Sequence, residues 1–196
     1  MRGQHNPTQH TRILSMENLS NKAALRRKLI AARRALPAEV KAQADARIVS
    51  RLSKWLAANQ VPILGAYLQM PGEPDLSALY ATLASEGQKL AMPVAVEKNM
   101  PLRYALWQPG DALTKDASGT LAPAVRTAFI DADVILVPCV GFTESCLRLG
   151  YGGGYFDRTL ARSPRPRAIG IAYAFTRVSF EASAYDLALD LIISDE

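Results

Sequence analysis

Histidine and cysteine are almost missing from this chain, with two of each in 196 residues. Both histidines, His5 and His10, fall in the polar first stretch, so the body of the chain can build no His-based triad, general base or metal cluster. Cys139 and Cys146 are too few for a disulfide framework or a four-ligand zinc site. No run approaches about 18 consecutive apolar residues, so no membrane-spanning helix is expected. The N-terminus lacks the apolar core of a secretory signal. No internal repeat and no linker divides the chain. What remains, 49% apolar and 21% charged, is the composition of an ordinary folded domain. A reduced, cytoplasmic setting without a membrane partner is expected, and any chemistry must rest on phosphate, metal and positioning.

The positive charge is concentrated. Residues 22–54 hold ten Lys/Arg against Glu39 and Asp45, a net +8, whereas the chain as a whole is +5. Three readings compete for this segment: a solvated helix face, a nucleic-acid footprint, or a site for an anion such as a nucleotide. No aromatic residue interleaves with the charges before Trp55, which disfavours nucleic acid.

Residues 1–18 show no periodicity and read as a disordered leader, with Met16 an alternative start. Residues 19–196 read as a single domain. Ser20 offers an N-cap oxygen to a helix reaching Leu36, with Leu25, Leu29, Ala32 and Leu36 on one face. Lys22 and Arg26, four apart, project from one side of it. Pro37 opens a second helix striped by Val40, Ala44, Ile48, Leu52, Trp55 and Leu56. Strands are then expected at 62–68, 89–96, 102–108, 134–140, 167–174 and 191–194. A helix capped by Asp75 separates the first two, and 109–124 reads as loop. Val134–Val140 is a near-continuous apolar run, as in a central strand buried on both faces. Alternating strands and helices mean an α/β sheet with parallel pairing.

The densest motif is Arg148-Leu149-Gly150-Tyr151-Gly152-Gly153-Gly154-Tyr155-Phe156-Asp157-Arg158. It follows the apolar strand and opens a helix, where α/β folds place phosphates. Glycines let the backbone approach a ligand and turn several N–H groups toward one anion, and Arg148 adds a fixed charge with bidentate reach. The run is neither a Walker A loop nor a dinucleotide fingerprint; a turn needed only for packing is the competing reading. Asp157 beside such a loop suggests a divalent cation or a helix-start charge, and Asp186 or Asp190 could add a second carboxylate. Cys139 reads as a buried small hydrophobe.

With Val137-Pro138 and Gly141-Phe142 ahead of it, this run resembles the signature of the 5-formyltetrahydrofolate cyclo-ligase family, also called 5,10-methenyltetrahydrofolate synthetases. The resemblance extends to Lys22 with Arg26, to the 67–75 stretch and to the 186–190 stretch. It implies a three-layer α/β/α sandwich around a mainly parallel sheet, a single domain with basic N-terminal helices; a monomer is expected. It implies conversion of 5-formyltetrahydrofolate to 5,10-methenyltetrahydrofolate with ATP and magnesium. Carried over by position, Lys22 and Arg26 would hold ATP phosphates. Arg148, Leu149, Gly150, Tyr151, Gly152, Gly153, Gly154, Tyr155 and Phe156 would form the nucleotide cradle. Lys22 and Arg148 would stabilise charge in the reaction, and Asp157 and Asp186 would hold magnesium. Leu68 and Glu73, with Tyr151 through Tyr155, would face the reduced folate. The sequence departs from the family's usual residues at Ala122 (Glu), Thr143 (Asp), Cys146 (Gly) and Phe156 (Tyr). Three other readings stay open: a nucleotide-binding relative without turnover, a basic nucleic-acid-binding module with steeply salt-dependent affinity, and sugar-phosphate isomerase-type chemistry on a similar fold, which would need no ATP.

Overall fold

Two helices lead the chain and carry its basic 22–54 segment. The computed structural model describes residues 7–183 and 186–196, with side chains from residue 21 onward. Helix α1 (Pro7–Arg34) starts at Pro7 rather than Ser20. A first-turn proline is tolerated because the N–H it lacks has no intrahelical partner. Residues 7–18 of the expected leader are therefore helical, and residues 1–6 lie outside the described residues. The buried line of α1 also differs from its apolar stripe: Ala32 is exposed, while Lys22, Leu29 and Arg33 are buried. Helix α2 (Ala38–Ala57) buries Ala44, Ile48 and Leu52, a four-residue spacing that keeps one stripe against the sheet. Val40 in its first turn is exposed.

Strand β1 (Ile63–Gly65), helix α3 (Ser77–Ser85) and β2 (Lys89–Val94) form a parallel crossover unit, with Leu64 opposite Leu90. Asp75 accepts from the Ser77 N–H at 2.9 Å, one residue ahead of the α3 cap at Leu76. Strand β3 (Arg103–Trp107) turns back antiparallel to β2. The expected 109–124 loop contains a small hairpin, β4 (Leu113–Lys115) with β5 (Leu121–Pro123); three-residue strands between turns leave too short a pattern to read. Strand β6 (Phe129–Ile130) pairs antiparallel with β3 at the sheet edge.

The chain then returns to the other side of β1 as β7 (Val134–Pro138), every residue of which is buried. A second hairpin, β8 (Gly141–Phe142) with β9 (Arg148–Leu149), leads through the glycine loop into α4 (Tyr155–Leu160). Strands β10 (Arg167–Ile171) and β11 (Leu191–Ile193) complete a seven-stranded sheet ordered β11-β10-β7-β1-β2-β3-β6. Four of the six pairings are parallel and two are antiparallel, β3 alone running against the other six strands, so the sheet is mixed and mainly parallel.

The two faces separate cleanly along β7. Val134 and Leu136 pack with α2 and α3 residues such as Ile48, Leu52 and Tyr80. Ile135 and Val137 pack on the opposite side with Leu160 of α4. This period-two alternation places helices on both faces of one sheet, the expected three-layer α/β/α arrangement. Between β1 and β7 the strand order reverses direction, and an open α/β sheet binds ligands outside the carboxyl ends of its strands at such a point. The 66–74 segment leaves β1 there, and the 139–154 segment leaves β7 there. Helix α1 lies over the same region, with Leu29 packed on Val140 and Leu149.

Candidate active site

A short hairpin turn presents Arg148. Thr143 closes it twice, its carbonyl accepting from the Cys146 N–H at 3.0 Å and its hydroxyl from the Leu147 N–H at 3.1 Å. Cys146 takes φ 60°, a left-handed conformation that costs a non-glycine residue about 1–2 kcal/mol. The turn is thus kept even though the family's usual glycine is missing. Beyond it, the Arg148 Nη2 donates to Asp157 Oδ1 at 2.7 Å, and the guanidinium lies 5.4 Å from the Phe156 ring centroid. The Nε of Arg148 is buried without a partner.

The glycines around Arg148 are needed individually. A Cβ on Gly150 would fall on the Arg148 guanidinium, 2.7 Å from Cζ. Gly152 has φ 98° and lies against Arg26, its ideal Cβ 3.6 Å from the guanidinium carbon. Gly154 caps α4 at φ 64°. Gly150 has no such backbone demand, so Gly150→Ala isolates the steric effect. Its methyl should push Arg148 aside, lowering kcat/KM by about tenfold or more with an unchanged melting temperature. Parallel kinetics and thermal melts check this.

Helix α1 closes the cradle from above. Lys22 Nζ pairs with Asp186 Oδ2 at 2.5 Å and sits 5.0 Å from the Phe180 ring centroid. One turn on, Arg26 Nε donates to the Gly150 carbonyl at 2.5 Å. Burial and the neighbouring Arg148 charge both hold the Arg26 pKa below its usual value. Two guanidinium groups held together against a glycine loop repel each other, and an anion between them would relieve that repulsion. Burial works to raise the Asp186 pKa, but hydrogen bonds from Lys22 and Ser183 outweigh it and hold the carboxyl below its ordinary range.

On the β1 side, Glu73 is 1% exposed. Its Oε2 accepts from the Met70 N–H at 2.7 Å and its Oε1 from the Tyr151 hydroxyl at 2.6 Å. Burial pushes the Glu73 pKa up, against the opposing hydrogen bonds from Tyr151 and Met70 and the charge of Arg33. Leu68 in the same loop is half-buried against the α2–α3 core.

The structure therefore brings Arg26, Arg148 and the glycine loop into contact, and Tyr151 reaches from that loop to Glu73. Lys22 lies one turn from Arg26 and carries Asp186 with it. Leu149 turns its side chain into the core beside Leu29 and Val140, leaving only its backbone for a ligand. Tyr155 stacks under the Arg158 guanidinium at 5.2 Å. Asp157 and Asp186 are held by different bases. Asp190 is excluded as a partner carboxylate, because its Oδ2 accepts from the Ala168 N–H near the amino end of β10. Among the described residues no three His, Cys, Asp or Glu side chains group as a metal cluster. A magnesium ion needs only one or two protein carboxylates when phosphate and water complete its shell, so the hard oxygens of Asp157, paired with Arg148, and of Asp186, paired with Lys22, suit such an ion.

One member of the site is not apparent from the motifs. Arg33, 1% exposed, donates to the Cys139 carbonyl at 3.0 Å and to the Tyr151 hydroxyl at 2.5 Å. Its signal is the spacing: Lys22, Arg26, Leu29 and Arg33 fall at i, i+4, i+7 and i+11, one face of one helix.

A sequence model of the 5-formyltetrahydrofolate cyclo-ligase family matches residues 18–193. A 5-formyltetrahydrofolate cyclo-ligase of Mycolicibacterium smegmatis is 32% identical over 71% of this chain and 75% of its own length. One of Mycoplasma pneumoniae is 49% identical over 65 residues, a stretch that spans 33% of this chain and 40% of that relative. The solved structure of a 5,10-methenyltetrahydrofolate synthetase from Mycoplasma pneumoniae superposes with a TM-score of 0.74 at 27% identity, covering 89% of this chain and 99% of that one.

Proposed function

The chain belongs to the 5-formyltetrahydrofolate cyclo-ligase family, and from that premise we propose that it closes 5-formyltetrahydrofolate to 5,10-methenyltetrahydrofolate, with ATP split to ADP and phosphate. The observation that carries this reading is the bridge made by Tyr151. Its backbone belongs to the glycine loop beside Arg26 and Arg148, and its hydroxyl donates to the buried Glu73. An anion cradle and a buried carboxylate thus meet at the switch point of the sheet.

The chemistry asks for such an arrangement. A formamide carbon is a poor electrophile because its nitrogen donates into the carbonyl, so N10 cannot close the ring unaided. In the proposed sequence the formyl oxygen attacks the γ-phosphorus and ADP leaves. N10 then attacks the activated carbon and loses its proton, and the C–O bond breaks to release phosphate carrying the original formyl oxygen. Neither step needs a side-chain nucleophile; both need alignment and charge stabilisation. Arg148 and Arg26 meet the phosphates, with Lys22 adding a third cation. Glu73 accepts from the pterin N–H edge, since each carboxylate oxygen keeps a lone pair beyond its present bond. Asp157 and Asp186 would hold magnesium, which when bound neutralises phosphate charge.

Absorbance at the methenyl-folate band, with and without enzyme and ATP-magnesium near neutral pH, tests the reading. A rise requiring both supports it, and a flat trace from folded protein that binds ATP would make the chain a nucleotide binder without turnover. Lys22→Ala should raise the ATP KM about tenfold with a smaller change in kcat, as expected for one charge-assisted phosphate contact. An unchanged ATP dependence would return Lys22 to a purely structural pair with Asp186. Among the described residues no helix is long and apolar enough to cross a membrane. A cytoplasmic monomer acting on reduced folate and ATP completes the proposal.

A further inference from the structure

Arg33 is a fully buried cation whose hydrogen bonds go to a carbonyl and a hydroxyl rather than to a carboxylate. A guanidinium does not deprotonate inside a protein, and a buried charge needs a nearby opposite charge to be tolerated. Following its bonds outward, the first anion is Glu73, reached through Tyr151. The direction of that relay is forced. Arginine only donates, so the Tyr151 oxygen accepts from Nη2 and must give its single proton to Glu73 Oε1. The end of α1 is also pressed onto the loop that carries Glu73: Gly72, at φ 86°, would place a Cβ 3.2 Å from Arg34 Cγ and 3.4 Å from the Arg33 carbonyl carbon. No motif of the sequence marks Arg33, whose neighbour Arg34 is exposed.

We propose that Arg33 is a positioning residue for folate binding: through Tyr151 it holds Glu73 in one orientation and in its ionised form, so that both carboxylate oxygens stay acceptors for the N–H edge of the pterin. The inference rests on the assignment of Glu73 to the folate. Every element packed around Glu73 bears on its charge. Arg33 faces it from α1, Tyr151 from the glycine loop, Tyr67 and the Met70 N–H from its own segment, Tyr80 from α3, and Cys139 from the end of β7. Burial raises the tyrosines above their ordinary value and pushes the Cys139 thiol up to about 12. These groups stay neutral near pH 7, and Arg33 supplies the positive charge. Burial alone favours protonated Glu73; Arg33 and the two hydrogen bonds oppose it. Without Arg33 the carboxyl protonates at higher pH, and a protonated oxygen presents O–H to a donor edge.

The sign of the test follows. Binding of 5-formyltetrahydrofolate, without ATP, is measured by calorimetry from about pH 6 to 9 for wild type, Arg33→Met, Tyr151→Phe and Glu73→Gln. Arg33→Met should bind about tenfold more weakly near pH 7, the scale of one misplaced charge-assisted contact, and recover toward wild type as the pH rises. Its dissociation constant for ATP-magnesium should stay within about twofold of wild type. Tyr151→Phe, which removes one hydroxyl and tests the relay even if Arg33→Met folds poorly, should show the same alkaline recovery. Weakening by one constant factor at every pH in Tyr151→Phe, or no weakening, overturns the relay. Glu73→Gln should bind weakly at all pH values. Wild-type binding by Glu73→Gln would overturn the folate assignment of Glu73 itself, a different failure from a flat Tyr151→Phe profile.

Discussion

Arg148→Lys should lower turnover on the order of 100-fold while keeping the charge, the scale seen when one preorganised donor to a developing anion is lost. Lysine offers a point charge where the site holds a planar fork. In this structure the fork is divided: Nη2 is taken by Asp157 at 2.7 Å, and Nε is buried without a partner. An ammonium has three donors at one point on a flexible stem, so it cannot reproduce the fixed spacing with which the planar fork meets Asp157 on one side and a phosphate on another. The stability effect should be small. Asp157 is 34% exposed at its side chain and can be rehydrated when the pair loosens, so about 1 kcal/mol is at stake. Steady-state kinetics and thermal melts separate the two effects. A melting temperature that falls together with activity would make Arg148 chiefly a structural residue, and retained turnover would remove it from the phosphate site.

What could be read in advance, and what could not, divides by the range over which the information is held. The glycine loop, its arginine and its aspartate lie within eleven residues of one another, so their spacing alone brings Arg148, Gly150 and Asp157 together. The central strand β7 is legible because five consecutive apolar residues, Val134–Pro138, are buried on both faces. The β4–β5 hairpin is hidden because it pairs three residues with three across a turn and lies outside the main sheet. The mixed character of the sheet is hidden too, since nothing local in 103–107 says that this strand runs antiparallel to β2.

Helix α1 shows the same limit at single-residue scale. Of the expected face, Leu25, Leu29 and Leu36 pack on the core and Ala32 is exposed, while Lys22, Arg26 and Arg33 also turn inward. Periodicity identifies a helix by assuming that charges face water. Here the neighbours across the helix are a glycine carbonyl, a tyrosine hydroxyl and Asp186, contributed by segments more than one hundred residues away. Each is an acceptor, so the rule reverses locally and the cations turn inward. Three of the ten basic residues in 22–54 are used this way, which accounts for part of the charge that composition alone leaves open among three readings.

Asp157→Asn should produce opposite changes in two quantities that normally move together. Asparagine keeps the volume and removes one anionic oxygen. If Asp157 holds magnesium, turnover with ATP-magnesium should fall on the order of 100-fold, because a neutral amide is a poor ligand for a hard cation. Binding of metal-free ATP should instead tighten by about fivefold, close to 1 kcal/mol, the scale of a partly exposed ion pair. The reason lies in the pair seen in this structure: Asp157 Oδ1 accepts from the Arg148 Nη2, so it would compete with a bound phosphate for that donor and repel its charge. Asp157 would hold magnesium, whose charge would offset that of the carboxylate and so leave the Arg148 guanidinium available to phosphate. The wild-type preference for ATP-magnesium over ATP in chelator should therefore shrink in the variant from both directions. Calorimetric titration of both forms into wild type and Asp157→Asn measures it. Weaker binding of metal-free ATP by the variant would mean that Asp157 supports Arg148 rather than competing for it. Wild-type turnover would remove Asp157 from the metal site and leave Asp186 as the carboxylate to test.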